Sequence, residues 1–397
     1  MSEKTLNRRF LLLQSLLTLI ECVSTSYISP ILVDLGYSTR WIGRIVALAA
    51  LAAVIWRPLL GFINDRYSCA KQVLLGGTAV GVGCYFLLTH SNRLLWSILA
   101  VMGLHITILC LMNFVDSWAL RLISSGYQLN YGGTRAGGSF SYAVGAVLLG
   151  MLIARYGYRP SNYVLWALFF LLVWVVCSIP SPPHEAEKVA TLNLSKGISA
   201  LITNRTYCLM LFAFFLCTLT SSAVESFYPV LLLESGGTEK TIGFALFLQA
   251  ISEIPMMIGY AKLRKRTGFT PAALMGISML FYGIKSLLMG IASSLPLMVA
   301  ATVLQIFTFA LFTPACIDFM LCTVTQEYLA TAHLIFVAIG QAISSVFGGL
   351  LSGALADVTS VSFMLRVASI PAFAAGLLAF AIVGKQRKEN SHDISGL

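Results

Sequence analysis

The sequence predicts an all-α integral membrane protein of twelve transmembrane helices in two parallel six-helix repeats. Three observations predict it. Apolar stretches of membrane-spanning length recur from end to end, Lys and Arg collect in the loops of one side, and a first-half segment reappears 200 residues later.

Of the 397 residues, 58% are hydrophobic and 11% are charged, and the mean hydropathy is +0.84. A soluble domain carries about 25% charged residues, so this chain lacks the polar surface for water. A helix rises about 1.5 Å per residue, and roughly 20 apolar residues cross about 30 Å of hydrocarbon. The short alternating segments of an outer-membrane barrel are absent, which leaves helices as the spanning form.

In order, the expected spans are 10–31, 41–63, 71–89, 94–117, 133–155 and 161–180, then 207–231, 240–262, 271–290, 294–317, 331–356 and 361–384. The polar, Pro-containing stretch SPPHEAEKVATLNLSKGIS divides them. It gives a first half over 1–180, a cytoplasmic linker over 181–206, and a second half with a short cytoplasmic tail over 207–397.

The net charge of +10 is a matter of topology, not of a nucleic-acid partner. Seventeen Lys and Arg fall on the side of the termini and linker, against six on the other, and positive loops stay inside. Both termini are therefore expected in the cytoplasm and the protein in the inner membrane, as a monomer among lipids. The nine cysteines lie mostly inside apolar segments and read as small packing residues, not as disulfides or metal ligands. The first apolar stretch is too long, and lacks the small-residue site, for a cleavable signal peptide.

The repeat supports the count. LGYSTRWIG (35–43) aligns with SGGTEKTIG (235–243): Gly36 with Gly236, Ile42-Gly43 with Ile242-Gly243, and further on Arg66 with Arg266. Equivalent segments share a side, so the repeat is parallel.

The turn GFINDRYSCAK (61–71) resembles the signature of the major facilitator superfamily between its second and third helices. Gly61, Asp65 and Arg66 match; Ser68 replaces a glycine and Lys71 comes one place late. The resemblance implies the twelve-helix fold, solute transport and a cytoplasmic gate made by these residues. A solvated turn that only fixes topology is the alternative.

A narrower resemblance joins VDSWALRLISSGYQLNYGGTRAGGSFSYAVGA (115–146) to the lactose permease and 3-phenylpropionate permease group. It implies a substrate site at Asp116 and Arg135, with Tyr142 as a stacking aromatic. The acid-to-Arg spacing is one residue longer than in the lactose permease. A carboxylate facing a guanidinium suits hydroxyl-rich or carboxylate-bearing ligands. Snorkelling at helix ends would also explain both charges.

Ionisable residues at membrane depth are costly, so each is a site candidate. These are Glu21 on the first span, Glu225 on the seventh, Glu253 on the eighth and Lys285 on the ninth, with Asp318 near the inner end of the tenth. By the same resemblance Glu253 keeps the first acid of a proton-coupling group, whose later positions fall at Phe281, Gln305 and Thr308. Two readings of Glu253 and Lys285 stand: a titrating acid with its cation, or a static pair. Gln305 is a polar candidate for the substrate site, and Glu21 and Glu225 for coupling. His105 and His333 are single and read as packing residues or proton relays. Glycines along the fifth span (Gly133, Gly137, Gly138, Gly145, Gly150) and the eleventh (Gly340, Gly348, Gly349, Gly353) allow close helix approach.

No phosphate loop, nucleophile elbow or metal cluster is present in the sequence, so no cofactor and no enzyme activity is expected. The expected function is secondary active transport of a small polar organic solute, a sugar or small aromatic or organic acid, by proton symport. A proton-antiport exporter of amphipathic compounds and a non-transporting membrane sensor are the alternatives.

Overall fold

The computed structural model describes residues 3–67, 70–124, 126–179, 194–325 and 328–395. Among the described residues, twelve helices are long and apolar enough to cross a membrane. They are Glu3–Asp34, Thr39–Trp56, Lys71–His90, Leu94–Asp116, Gly133–Tyr156 and Ser161–Ser178, then Arg205–Glu234, Glu239–Thr267, Pro271–Ile291, Leu295–Thr323, Thr331–Val358 and Val361–Gly384. The second continues as helix to Tyr67, through Gly61, Asp65 and Arg66, whose side chains lie outside the described ones.

The repeat is visible in the backbone. Gly36 and Gly236 have φ of 82° and 84°, the left-handed region that glycine enters without a Cβ penalty. Each closes a helix with the same pair of bonds. The amide of Gly36 donates to the Val33 carbonyl and that of Tyr37 to Leu32, and the amides of Gly236 and Gly237 donate to Leu233 and Leu232.

The chain forms two compact units, Met1–Glu187 with Pro229–Ile251, and Lys188–Tyr228 with Ser252–Leu397. The turn between the seventh and eighth spans, with the adjoining helix ends, thus clusters with the first six spans. Within that first unit Gly150 of the fifth span meets the eighth at backbone distance. A Cβ on Gly150 would lie 2.5 Å from the Glu239 carbonyl oxygen, and one on Gly243 would run into the Ala146 carbonyl. Tyr27 donates to the Glu239 carbonyl at 3.0 Å and Tyr158 to its carboxylate at 3.3 Å.

Three local departures from plain helix position side chains. The first span breaks between Thr25 and Ile28. The tenth passes through a tight 3₁₀ segment, Ala301–Ile306, before resuming at Phe309. The eleventh widens into a π-helical stretch, Phe336–Ile343. In the stretch expected to be a linker, Leu194–Thr203 is an amphipathic helix with Leu201 buried and Ile202 exposed.

Candidate functional site

Polar side chains gather in two clusters, one in each unit. In the first unit, Asp116 ends the apolar run of the fourth span, and Arg135 lies in the second turn of the helix Tyr131–Tyr156. That helix start is fixed by Asn130, whose side-chain oxygen accepts from the Gly133 amide at 2.9 Å. Asn7 of the first span ties the preceding loop down, accepting from the Asn130 amide at 2.7 Å and donating to the Gln128 carbonyl at 3.0 Å. So held, Arg135 donates through Nη1 to both Asp116 oxygens, at 2.9 and 3.1 Å.

Gln14 completes this cluster, and the sequence reading missed it. It is fully buried, and its Nε2 donates to Asp116 Oδ1 at 3.1 Å. Its Oε1 is buried with no hydrogen-bond partner. A buried amide left half-satisfied costs free energy unless a donor reaches it. The site therefore offers an acceptor (Gln14), a carboxylate and a guanidinium. Arg135 is half-exposed and also lies within electrostatic reach of Glu21. Tyr142 is set apart: seven residues further along its helix, its hydroxyl is 3.0 Å from that of Ser26, at the break in the first span.

In the second unit, Lys285 is buried, and its ammonium donates to Gln305 Oε1 at 2.6 Å. Gln305 Nε2 donates to Glu253 Oε1 at 3.0 Å. Thr308 donates to the same amide oxygen at 3.0 Å. This amide orientation is the one that satisfies both neighbours, since an ammonium only donates and a carboxylate only accepts. The 3₁₀ segment makes it possible by turning Gln305 out of α-helical register, and Ser278 seals the break by donating to the Thr308 carbonyl at 2.8 Å.

Glu225 joins this group. Its Oε1 accepts from Ser221 at 2.8 Å, and Lys285 lies within electrostatic reach of both Glu225 and Glu253. One ammonium thus serves two carboxylates, a formal charge of −1 when both are ionised. Gln305, expected beside the substrate, lies between Glu253 and Lys285.

Asp318 accepts from Arg264 at 2.5 Å and from Tyr260 at 2.9 Å, a separate link between the eighth and tenth spans. His105 bonds its own helix, donating to the Val101 carbonyl at 3.0 Å. Among the described residues, no group of His, Cys, Asp and Glu could hold a metal ion.

Comparison with known proteins bears on what such a chain is. The sequence pattern of the MFS_1 like family matches residues 21–367. The uncharacterized transporter YwbF of Bacillus subtilis is 24% identical over 88% of this chain and 87% of its own length. The maltose permease of Geobacillus stearothermophilus is 24% identical over 87% of this chain and 86% of its own. A solved variant of the nucleoside transporter NupG superposes with a TM-score of 0.83 at 16% identity, over 95% of this chain and 99% of that one, a likeness of fold.

Proposed function

The chain belongs to the MFS_1 like family of membrane transporters, and from that premise we propose that it carries a small polar organic solute across the cytoplasmic membrane by proton-coupled symport. The observation that supports coupling is the Glu253–Gln305–Lys285 chain, in which Gln305 and Lys285 are buried and Glu253 is half-buried, with Glu225 at hand. Two carboxylates around one ammonium become electroneutral on taking up one proton. In a low-dielectric interior that neutral state has the lower desolvation cost. Access to water from one side and then the other lets the proton enter and leave, and the Gln305 amide links the acid to the cation as it does so.

The solute end of the reading rests on Asp116, Arg135 and the unpartnered oxygen of Gln14. They offer a bidentate donor and two acceptors, which suits a solute with vicinal hydroxyls. The relative named for maltose supports a sugar over an organic acid. Alternating access supplies the cycle.

The test is uptake of radiolabelled sugars into proteoliposomes with an acidic outside. Accumulation above the equilibrium level that a protonophore abolishes supports the reading. Accumulation that the protonophore leaves unchanged removes the proton from it.

A further inference from the structure

The second unit holds an enclosed space that the two polar clusters do not explain. A cavity of about 250 Å³ opens among the seventh, ninth, tenth and eleventh spans. Drug-sized ligands occupy pockets of about 300–1,000 Å³, so this one fits a solute of one or two rings.

One wall is aromatic and rigid. Phe214 is stacked between Phe312 and Phe336, with ring centroids at 4.9 and 4.8 Å and planes within 18° and 12° of parallel. The stack exists because the eleventh span makes room for it: any Cβ at position 340 would collide with the Phe214 ring, so a glycine stands there. Gly340 lies in the π-helical stretch, whose wider turn brings Phe336 and Gln341 to the same cavity. Such single π turns inside α-helices occur often at functional sites.

The rest of the lining includes polar and acidic side chains. Glu225, with Ser221 donating to its Oε1, and Gln341 face the space. Among the described residues lining it there is no Lys or Arg, and His333 is the basic side chain present. A carboxylate accepts hydroxyl donors well and repels a second carboxylate. Aromatic rings cover the apolar face of a sugar or a planar ring.

We infer that this cavity is a binding subsite for the ring of a neutral, hydroxyl-bearing solute, stacked against the Phe214 wall with its hydroxyls on Glu225 and Gln341. It selects against anionic solutes, which narrows the substrate class. The inference rests on the proposed transport function but is tested without transport.

Purified full-length protein in detergent is titrated with 4-nitrophenyl α-D-glucopyranoside, gluconate and benzoate, following thermal stabilisation and calorimetric affinity. The neutral glycoside raises the unfolding temperature and the two anions do not. Glu225→Gln weakens glycoside affinity roughly tenfold, as a bond to a charged acceptor becomes one to a neutral acceptor, and Gln341→Ala weakens it several-fold by removing a neutral hydrogen bond. Ser221→Ala, a smaller change, gives a lesser loss and serves where either variant fails to fold.

No stabilisation by the glycoside, equal stabilisation by the anions, or unchanged affinity in the folded variants overturns the subsite. Proton-driven uptake that survives with cavity-insensitive affinity keeps the transport reading and removes the subsite. Cavity-dependent binding without uphill uptake does the reverse.

Discussion

The ammonium of Lys285 donates to the side-chain oxygen of Gln305 at 2.6 Å, and the far end of the same amide holds Glu253 at 3.0 Å. A buried cation and a half-buried acid are therefore connected through a neutral group. The amide bridge gives each partner a hydrogen bond of the right polarity, since an ammonium only donates and a carboxylate only accepts.

Gln305→Leu removes both bonds and strands two ionisable groups in an apolar setting. Leaving such groups unpartnered costs about 2–4 kcal/mol. A lowered unfolding temperature of the detergent-solubilised protein is expected, together with loss of uptake. Gln305→Glu retains an acceptor for Lys285 but loses the donor to Glu253, and is expected to recover only part of the stability.

Asp116→Asn keeps the shape of the first cluster and removes its charge, and Arg135→Lys removes the two-oxygen contact. Each is expected to abolish ligand-dependent thermal stabilisation while the apo protein stays folded. Unchanged stabilisation in both would remove this pair from the substrate site.

Asn130→Ala deletes the cap that starts the fifth span, at a cost of about 1 kcal/mol. The tie to Asn7 runs through the backbone amide of residue 130 and survives, so Arg135 loses the side-chain cap at the start of its helix. A modest fall in unfolding temperature with a larger rise in KM is expected; an unchanged KM would show that the helix start does not position the site.

Gly150→Val places a side chain where the Glu239 carbonyl stands. The fifth and eighth spans can no longer meet, so a state that requires the contact is lost. Uptake is expected to fall at least tenfold, with normal membrane insertion on the blot, and Gly150→Ala is expected to lie between.

The fold was largely legible. Span length, loop charge and the 200-residue repeat are one-dimensional signals, and Gly36 and Gly236 occupy the same turn for the same steric reason. Asp116 and Arg135 were legible as a pair through the resemblance of 115–146 to the permease group, and they form an ion pair at 2.9 Å. Gln14 was not, because a lone amide on an apolar helix carries no periodic signal, and its role depends on what packs opposite.

The breaks in the tenth and eleventh spans were equally hidden. ATVLQIFT is largely apolar around Gln305, and the 3₁₀ turn is stabilised by Ser278, 30 residues away in sequence from Thr308. Membership of the compact units was hidden too: the turn from Pro229 to Ile251 belongs to the second half by repeat and packs with the first six spans.

The most direct measurement is solute accumulation in proteoliposomes under an imposed inward proton gradient, compared between the native chain and Glu253→Gln. The variant keeps the hydrogen-bonding shape and cannot ionise. The account predicts that it exchanges labelled solute across the membrane at near-native rate, yet neither accumulates it nor responds to external pH. Native uphill accumulation with intact pH dependence in Glu253→Gln would contradict the account.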